Sequence, residues 1–126
     1  MLAPQLTDRS APDKAAVVGK AVVRTAAALG LKNVQLARIL GVSAPTVSRL
    51  TRGDWSLAQQ PKAYELAVLL VRLYRSLDSI TGDDDASRSW LRSRNTALGA
   101  RPIDRIGSIT GLVDTLAYVD ARRAPL

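Results

Sequence analysis

The side chains best suited to recognition chemistry lie between residues 35 and 52 of the sequence. They are amides, hydroxyls and guanidinium groups, which can donate hydrogen bonds to phosphate oxygens and to the edges of bases. Gln35 stands near the start of one predicted helix, where its amide can reach a phosphate. Thr46, Ser48 and Arg49 project from the outward face of the next helix. We therefore expect DNA contacts from the following residues: Gln35, Ser43, Ala44, Thr46, Ser48, Arg49 and Arg52.

Two short helices joined by a turn at Gly41 are predicted to position these side chains. Gly41 can adopt the positive φ that a sharp turn between helices needs. Ser43 is a natural N-cap for the second helix, and Pro45 falls in its first turn, where a missing N–H is harmless. The apolar residues of the two helices are Leu36, Ala37, Leu40, Val47 and Leu50. This pattern is typical of a helix-turn-helix, whose second helix enters the DNA major groove, and the alternative is a purely structural helix hairpin.

Net charge supports a polyanionic partner. The chain carries a formal charge of +7. Residues 1–62 hold nine Lys/Arg and three acidic residues, a balance of +6, whereas residues 63–126 hold nine basic and eight acidic residues, a balance of +1. The positive excess therefore coincides with the helix-turn-helix pattern, and a basic half attracts DNA over long range.

Composition excludes several kinds of chemistry. The chain has 126 residues, of which 47% are hydrophobic, so it can bury the core of one compact domain or two very small ones. It contains neither cysteine nor histidine, which removes disulfides, cysteine metal sites and the usual general base. We expect no cofactor, and an enzyme would have only scattered aspartates to work with. The lack of a long apolar run and of a secretory signal predicts a cytoplasmic protein without membrane contact.

Breaks in the helical pattern divide the chain into three predicted parts. Residues 1–12 are interpreted as a flexible arm. Residues 13–80 are predicted to form the helix-turn-helix domain, in which Asp13 caps a first helix and Pro61 opens a long connecting helix. Residues 81–126 are predicted to form a small helical module. The acidic run at the boundary lacks the alternate spacing of a calcium loop and is interpreted as a solvated turn, with Asp85 as the next N-cap.

The long connecting helix is apolar on two sides, which requires two partners. One apolar stripe contains Leu66, Leu69, Leu70, Leu73 and Leu77, and the other contains Tyr64, Val68 and Val71. We expect the C-terminal segment to cover one stripe and a second subunit to cover the other. The sequence therefore predicts a homodimer, which also suits an operator built of two half-sites.

The C-terminal segment has a helical pattern that glycines interrupt. We expect one helix to about Arg94, a break at Leu98-Gly99, a short helix from Pro102, and a last helix from about Leu112 to Ala121 after a break flanked by Gly107 and Gly111. The predicted core of this module contains Trp90, Leu91, Leu98, Ile103, Ile106, Ile109, Leu112, Val113 and Leu116.

Two stretches resemble known families. The segment with the pattern Q-x-L-A-x-x-L-G-V-S-x-x-T-V-S-R resembles the Xre/Cro-type repressor helix-turn-helix. The later pattern W-L…N…L-G…P-x-x-x-I…G…V…L is similar to the Xre/MbcA/ParS toxin-binding domain. Together the resemblances cover about residues 15–122. They imply an all-α fold with an N-terminal DNA-binding domain and a C-terminal toxin-binding module. They also imply an antitoxin that inhibits a RES-type, NAD-degrading toxin and represses its own operon.

The resemblance also implies which residues meet the toxin: Trp90, Arg94, Asn95, Arg101, Arg122 and Arg123. Two of these assignments have structural alternatives, because Trp90 could anchor the small core and the two terminal arginines could form a solvated basic tail. At the level of function, the alternative is a stand-alone helix-turn-helix repressor whose C-terminal module only dimerises or senses a ligand.

Overall fold

A computed structural model describes residues 13–123, and the predicted all-α class is confirmed there. This range forms seven α-helices and one short 3-10 helix, and its only strand-like feature is an isolated bridge between Asn95 and Ala100. The helices are α1 (Lys14–Ala28), α2 (Asn33–Leu40), α3 (Ala44–Arg52), α4 (Pro61–Thr81), α5 (Asp84–Arg92), α6 (Pro102–Arg105) and α7 (Ile109–Arg123), with the 3-10 helix at Leu57–Gln59. The predicted arm, residues 1–12, lies outside the described residues.

Local capping signals explain where α1 begins and ends. The Asp13 carboxylate accepts a hydrogen bond from the Ala16 N–H at 3.1 Å, so Asp13 is the N-cap that the sequence predicts. Beyond the other end, Gly30 has a φ of 67° and turns the chain toward α2. Val22 and Leu29 are completely buried, which places one apolar side of this segment in the core.

Helix α4 is the central element, because both halves of the chain pack against it. It has 21 residues and is about 31 Å long. Helices α1 and α7 of the same chain both pack against it, and the contact with α7 is the larger one. The side chains of Val71, Leu73 and Leu77 are buried, whereas Val68 and Leu69 stay half-buried. Partly exposed apolar surface therefore remains on this helix at Tyr64, Val68 and Leu69, and again at Ile80 near its end.

Helices α4 and α7 run in the same direction. Ile109, at the start of α7, lines a surface hollow together with Leu69. Arg122, near the end of α7, lines another hollow together with Ile80. The α4–α7 contact is the most extensive one between any two helices of the described chain, so the C-terminal segment is joined to the N-terminal half along most of α4.

The start of α5 differs from the sequence prediction. Asp83, and not Asp85, is the N-cap, because the Asp83 carboxylate accepts a hydrogen bond from the Ala86 N–H at 2.7 Å. Asp85 lies in the first helical turn, where its negative charge still suits the positive end of the helix. The helix ends at Arg92 instead of about Arg94.

The last helix is longer than predicted, because Gly111 lies inside it instead of in a break. A Cβ on Gly111 would lie only 1.8 Å from the carbonyl oxygen of Arg105. This glycine therefore allows the first turn of α7 to pack against the end of α6. A glycine in a sequence can indicate either a turn or a place where two backbone segments come close together, and Gly111 is the second kind.

The predicted C-terminal core is only partly correct. Leu91, Leu98, Ile106, Leu112 and Leu116 are buried as expected. Ile109 and Val113 are instead 55% and 46% exposed, and Trp90 and Ile103 are half-buried. With the exception of Leu98, the buried residues join Val22, Leu29 and the α4 leucines in one hydrophobic cluster, so the two halves of the chain share a core. Among the described residues, no helix has the length and apolar character of a membrane span.

Candidate nucleic-acid interface and partner surface

The turn between α2 and α3 has the geometry that the sequence predicts. Gly41 has a φ of 70°, in the left-handed region. The Val42 N–H donates a hydrogen bond to the Ala37 carbonyl at 3.0 Å, which closes the turn. Ala37 is almost fully buried, and its small side chain lets α3 cross close to α2. The two helices therefore form a helix-turn-helix in which α3 is the recognition helix.

The first turn of α3 is held by a chain of hydroxyl hydrogen bonds that ends at an arginine. The Ser43 hydroxyl accepts a hydrogen bond from the Thr46 N–H at 3.2 Å, and the two hydroxyl oxygens are 2.9 Å apart. Arg49 Nη2 then donates to Thr46 Oγ1 at 2.9 Å. This bond uses one of the five guanidinium donors. Arg49 is thus oriented on the exposed side of the helix, opposite the buried Val47 and Leu50, with donors to offer an external acceptor.

The start of α2 lies beside α3 and presents Gln35. The Gln35 side-chain oxygen accepts a hydrogen bond from the Lys32 N–H at 2.7 Å, which caps α2 and fixes the amide. The amide nitrogen keeps two donors for an anion. Asn33 Nδ2 donates to the Ser48 hydroxyl at 3.1 Å and ties the two helices together. Ser48 is half-buried and takes part in this tie, so it is less available than Arg49.

The remaining predicted DNA-contact residues mark the two ends of α3. Ala44 is half-buried in the first turn, and Arg52 is exposed in the last. Arg52 Nε lies 3.2 Å from Asp54 Oδ2, and the two side chains are 60% and 63% exposed. An exposed pair of this kind contributes little stability, so its arginine can exchange the aspartate for an external anion. Gly53, with a φ of 82°, ends the helix.

Two arginines of α5 bind the loop that precedes α2. Arg88 Nη1 donates to the Ala28 carbonyl at 2.8 Å, and Arg92 Nη2 donates to the Gly30 carbonyl at 3.0 Å. These carbonyls belong to the end of α1 and the turn after it, where cations are favourable. Arg88 also pairs with Asp85. The C-terminal module is therefore hydrogen-bonded to the segment that positions the helix-turn-helix, which the sequence pattern did not indicate.

A surface of two aromatic rings and one arginine lies on α5 and α7. Trp90 and Tyr118 are stacked with ring centroids 6.4 Å apart and an angle of 21° between the planes. The Arg122 guanidinium lies 4.8 Å from the centroid of the Tyr118 ring, a cation–π distance. A hollow of about 210 Å³ adjoins these residues and includes Ile80, which is 48% exposed. We call Trp90, Tyr118, Arg122 and Ile80 the aromatic surface.

The other predicted partner-binding residues lie apart from the aromatic surface. The Asn95 carboxamide oxygen accepts a hydrogen bond from the Leu98 N–H at 3.1 Å and holds a local turn. Arg101 binds the Asp104 carboxylate through two hydrogen bonds of 2.8 and 3.0 Å, which lower the pKa of Asp104 and raise that of Arg101. Arg94 is exposed after the end of α5, and Arg123 Nη1 lies 3.4 Å from the Ser76 hydroxyl.

The six residues predicted to contact the toxin therefore do not form one surface. Of the six residues, only Trp90 and Arg122 adjoin the same hollow, and each of them contacts Tyr118. Sequence reasoning missed Tyr118 and Ile80. The spacing of four residues between Tyr118 and Arg122 was the available signal, because residues four apart lie on one helix face. Asn33 was missed as well, since its tie to the recognition helix depends on how α2 and α3 cross.

A capped recognition helix joined through a shared core to a C-terminal helical module defines a protein of the helix-turn-helix class. Comparison with protein families then identifies the family within this class. The antitoxin Xre-like helix-turn-helix domain matches residues 8–72, which is more than half of the chain. The antitoxin Xre/MbcA/ParS C-terminal toxin-binding domain matches residues 76–124. The chain therefore belongs to the Xre-like antitoxin family, and neither matching domain is an enzyme family. No curated protein matches it significantly.

Proposed function

We propose that this protein is the cytoplasmic antitoxin of a RES-type, NAD-degrading toxin and that it represses its own operon. The observation that carries the proposal is the presence of two contact surfaces on one core: the exposed side of α3 with Arg49, and the aromatic surface with Trp90 and Arg122. We assign DNA binding to residues 13–80 and toxin binding to residues 81–126, with Ile80 at the boundary as a neighbour of the toxin-binding residues. The two family matches, residues 8–72 and 76–124, support this division.

Operator binding rests on the recognition helix. Arg49, oriented by Thr46, is placed to reach a guanine edge, with Gln35 and Arg52 on flanking phosphates. Arg49→Ala should weaken binding to DNA from the protein's own promoter by about 1–3 kcal/mol if the arginine reads a base. If it binds phosphate instead, the loss should be equal for an unrelated duplex and the salt slope should fall by about one. A gel-shift assay in which the wild type binds no promoter DNA at low salt would contradict repression.

Toxin binding rests on the aromatic surface. Trp, Tyr and Arg are the residue types that most often dominate binding energy at protein interfaces, and here they adjoin an exposed isoleucine. Arg122→Ala removes the guanidinium from Tyr118 and should raise the antitoxin concentration needed for half-inhibition about tenfold or more. The assay is NAD consumption by the co-encoded toxin. Arg75→Ala, an exposed arginine of α4, is the matched charge control.

The outcomes of this assay separate the two candidate functions. Loss of inhibition with Arg122→Ala but not with the control supports an antitoxin that acts through the aromatic surface. Equal inhibition by both variants would contradict the assignment of this surface. If the wild type binds its promoter and has no effect on a neighbouring NAD-degrading enzyme, the protein is a stand-alone repressor.

Homodimerisation is proposed through the start of α4. A hollow of about 390 Å³ there is lined by apolar side chains that include Val68, Leu69 and Ile109, with Lys62 and Glu65 at its edge. Lys62 and Glu65 lie 3.6 Å apart and pair with each other, so this hollow carries no net charge that would oppose self-association. Val68→Glu should shift the mass measured by light scattering from dimer to monomer. A monomer mass for the wild type at tens of micromolar, with and without DNA, would contradict the proposal.

A further inference from the structure

A hollow of about 570 Å³ lies between α1 and the end of the recognition helix. Gly19 on α1 and Leu50 on α3 contribute to an apolar floor, and Trp55 forms part of the wall. Gly19 is buried, and a Cβ at this position would lie 3.4 Å from Leu50 Cδ1. The two helices are therefore close together beneath the hollow, which stays open above them.

Positive side chains line this hollow on both sides. Lys20 and Arg24 are exposed residues of α1, and their spacing of four places them on one helix face. Arg52 lines the hollow from the end of α3. The acidic group of the lining is Asp13, whose carboxylate caps α1, and Asp54 pairs with Arg52 beside it. Three cations thus surround an apolar floor, and the local charge favours an anion.

The position of Arg52 connects this hollow to the DNA-contact side of α3. Arg49 and Arg52 are three residues apart and both exposed, so they lie on neighbouring parts of the recognition helix. Arg52 therefore belongs both to the outer part of the recognition helix and to the lining of the hollow, which Lys20 and Arg24 share. The phosphates of a nucleic-acid backbone carry the negative charge that these cations attract, and its sugars offer an apolar surface to the floor.

We propose that this hollow is a second DNA-backbone contact, in which Lys20, Arg24 and Arg52 bind phosphate oxygens beside the recognition helix. The proposal rests on the operator binding proposed above. It adds two α1 residues to the interface, and it assigns them affinity without sequence preference, because phosphate contacts carry no direct base information.

The test compares two double variants of the full chain. Lys20→Ala/Arg24→Ala removes two charges at the hollow, and Arg72→Ala/Arg75→Ala removes two exposed charges farther along α4. Fluorescence anisotropy measures binding to a promoter duplex and to an unrelated duplex over a range of salt concentrations. Each lost phosphate contact should lower the salt slope by about 0.9, which corresponds to roughly eightfold weaker binding at ~0.1 M salt. The first variant should lose about two such contacts on both duplexes, and the second should lose none.

Each outcome bears on one proposal. If the wild type binds neither duplex, operator binding itself fails. If the wild type binds and the two double variants have equal slopes, the backbone contact is refuted while operator binding stands. A loss confined to the promoter duplex would also refute it, since that result requires base recognition. Circular dichroism checks folding, and Lys20→Gln/Arg24→Gln, which removes the charges but keeps longer side-chain stems to pack along the hollow, replaces the alanine pair if that pair unfolds.

Discussion

Replacement of Arg88 by methionine tests whether the C-terminal module stabilises the helix-turn-helix. The change removes the 2.8 Å hydrogen bond to the Ala28 carbonyl and the positive charge at the end of α1, and it keeps an apolar stem beside Gly30. A hydrogen bond from a charged donor contributes about 1.5–3 kcal/mol, and a cation at a helix C-terminus about 0.3–1 kcal/mol. The pair with the highly exposed Asp85 adds little. We expect the free energy of unfolding to fall by about 2 kcal/mol.

Urea denaturation followed by circular dichroism measures this loss, with Arg75→Met as a control at an exposed site that should change stability by less than about 0.5 kcal/mol. The operator affinity of the Arg88 variant should also fall, because the Ala28–Lys32 segment positions the amide of Gln35 through the Lys32 N–H. Equal unfolding free energies for the Arg88 and Arg75 variants would refute the role of α5 in supporting the helix-turn-helix.

Two further predictions concern packing and pH. Gly111→Ala places a methyl group against the Arg105 carbonyl, which cannot move without its backbone, and should lower the stability measured by thermal melting by about 3 kcal/mol or more. Gly107→Ala meets only the flexible side chain of Arg38 and should lower stability less. The hydrogen bond from Tyr74 to Asp84, together with burial, raises the pKa of Tyr74 above 10.0. As the pH rises, the Tyr74 hydroxyl loses its proton in the unfolded chain before it does so in the folded chain. The contribution of this hydrogen bond to stability is therefore complete below pH 10 and is lost as the pH rises through the raised pKa. Wild type should lose stability more steeply than Tyr74→Phe in that range, and parallel pH profiles would contradict this.

The helix-turn-helix could be predicted because its determinants are local. Asp13 and Ser43 cap helices with their own side chains, and Gly41 and Gly53 adopt the positive φ that ends a helix. Each of these features depends on residues within four positions, so the sequence contains the whole signal. The contact between Asn33 and Ser48 is different, because it joins residues 15 apart and depends on the crossing of two helices.

The C-terminal errors have a common physical cause. Periodicity identifies apolar positions without showing which of them a neighbouring helix covers, and so Ile109 and Val113 were assigned to a core that leaves them exposed. Three consecutive aspartates offer equivalent caps, and only the path of the backbone selects Asp83. Gly111 was predicted to flank a helix break because glycine often ends helices, but here it allows close contact with the carbonyl of Arg105.

Helix α4 ties the lifetimes of the two proposed activities together. Its leucines complete the core under the recognition helix and, through α7, the core under the aromatic surface. A protease that cuts within α4, or local unfolding that exposes it, would remove both surfaces in one event. The protein would then lose its binding to the promoter and to the toxin together, so the lifetime of α4 would limit both activities.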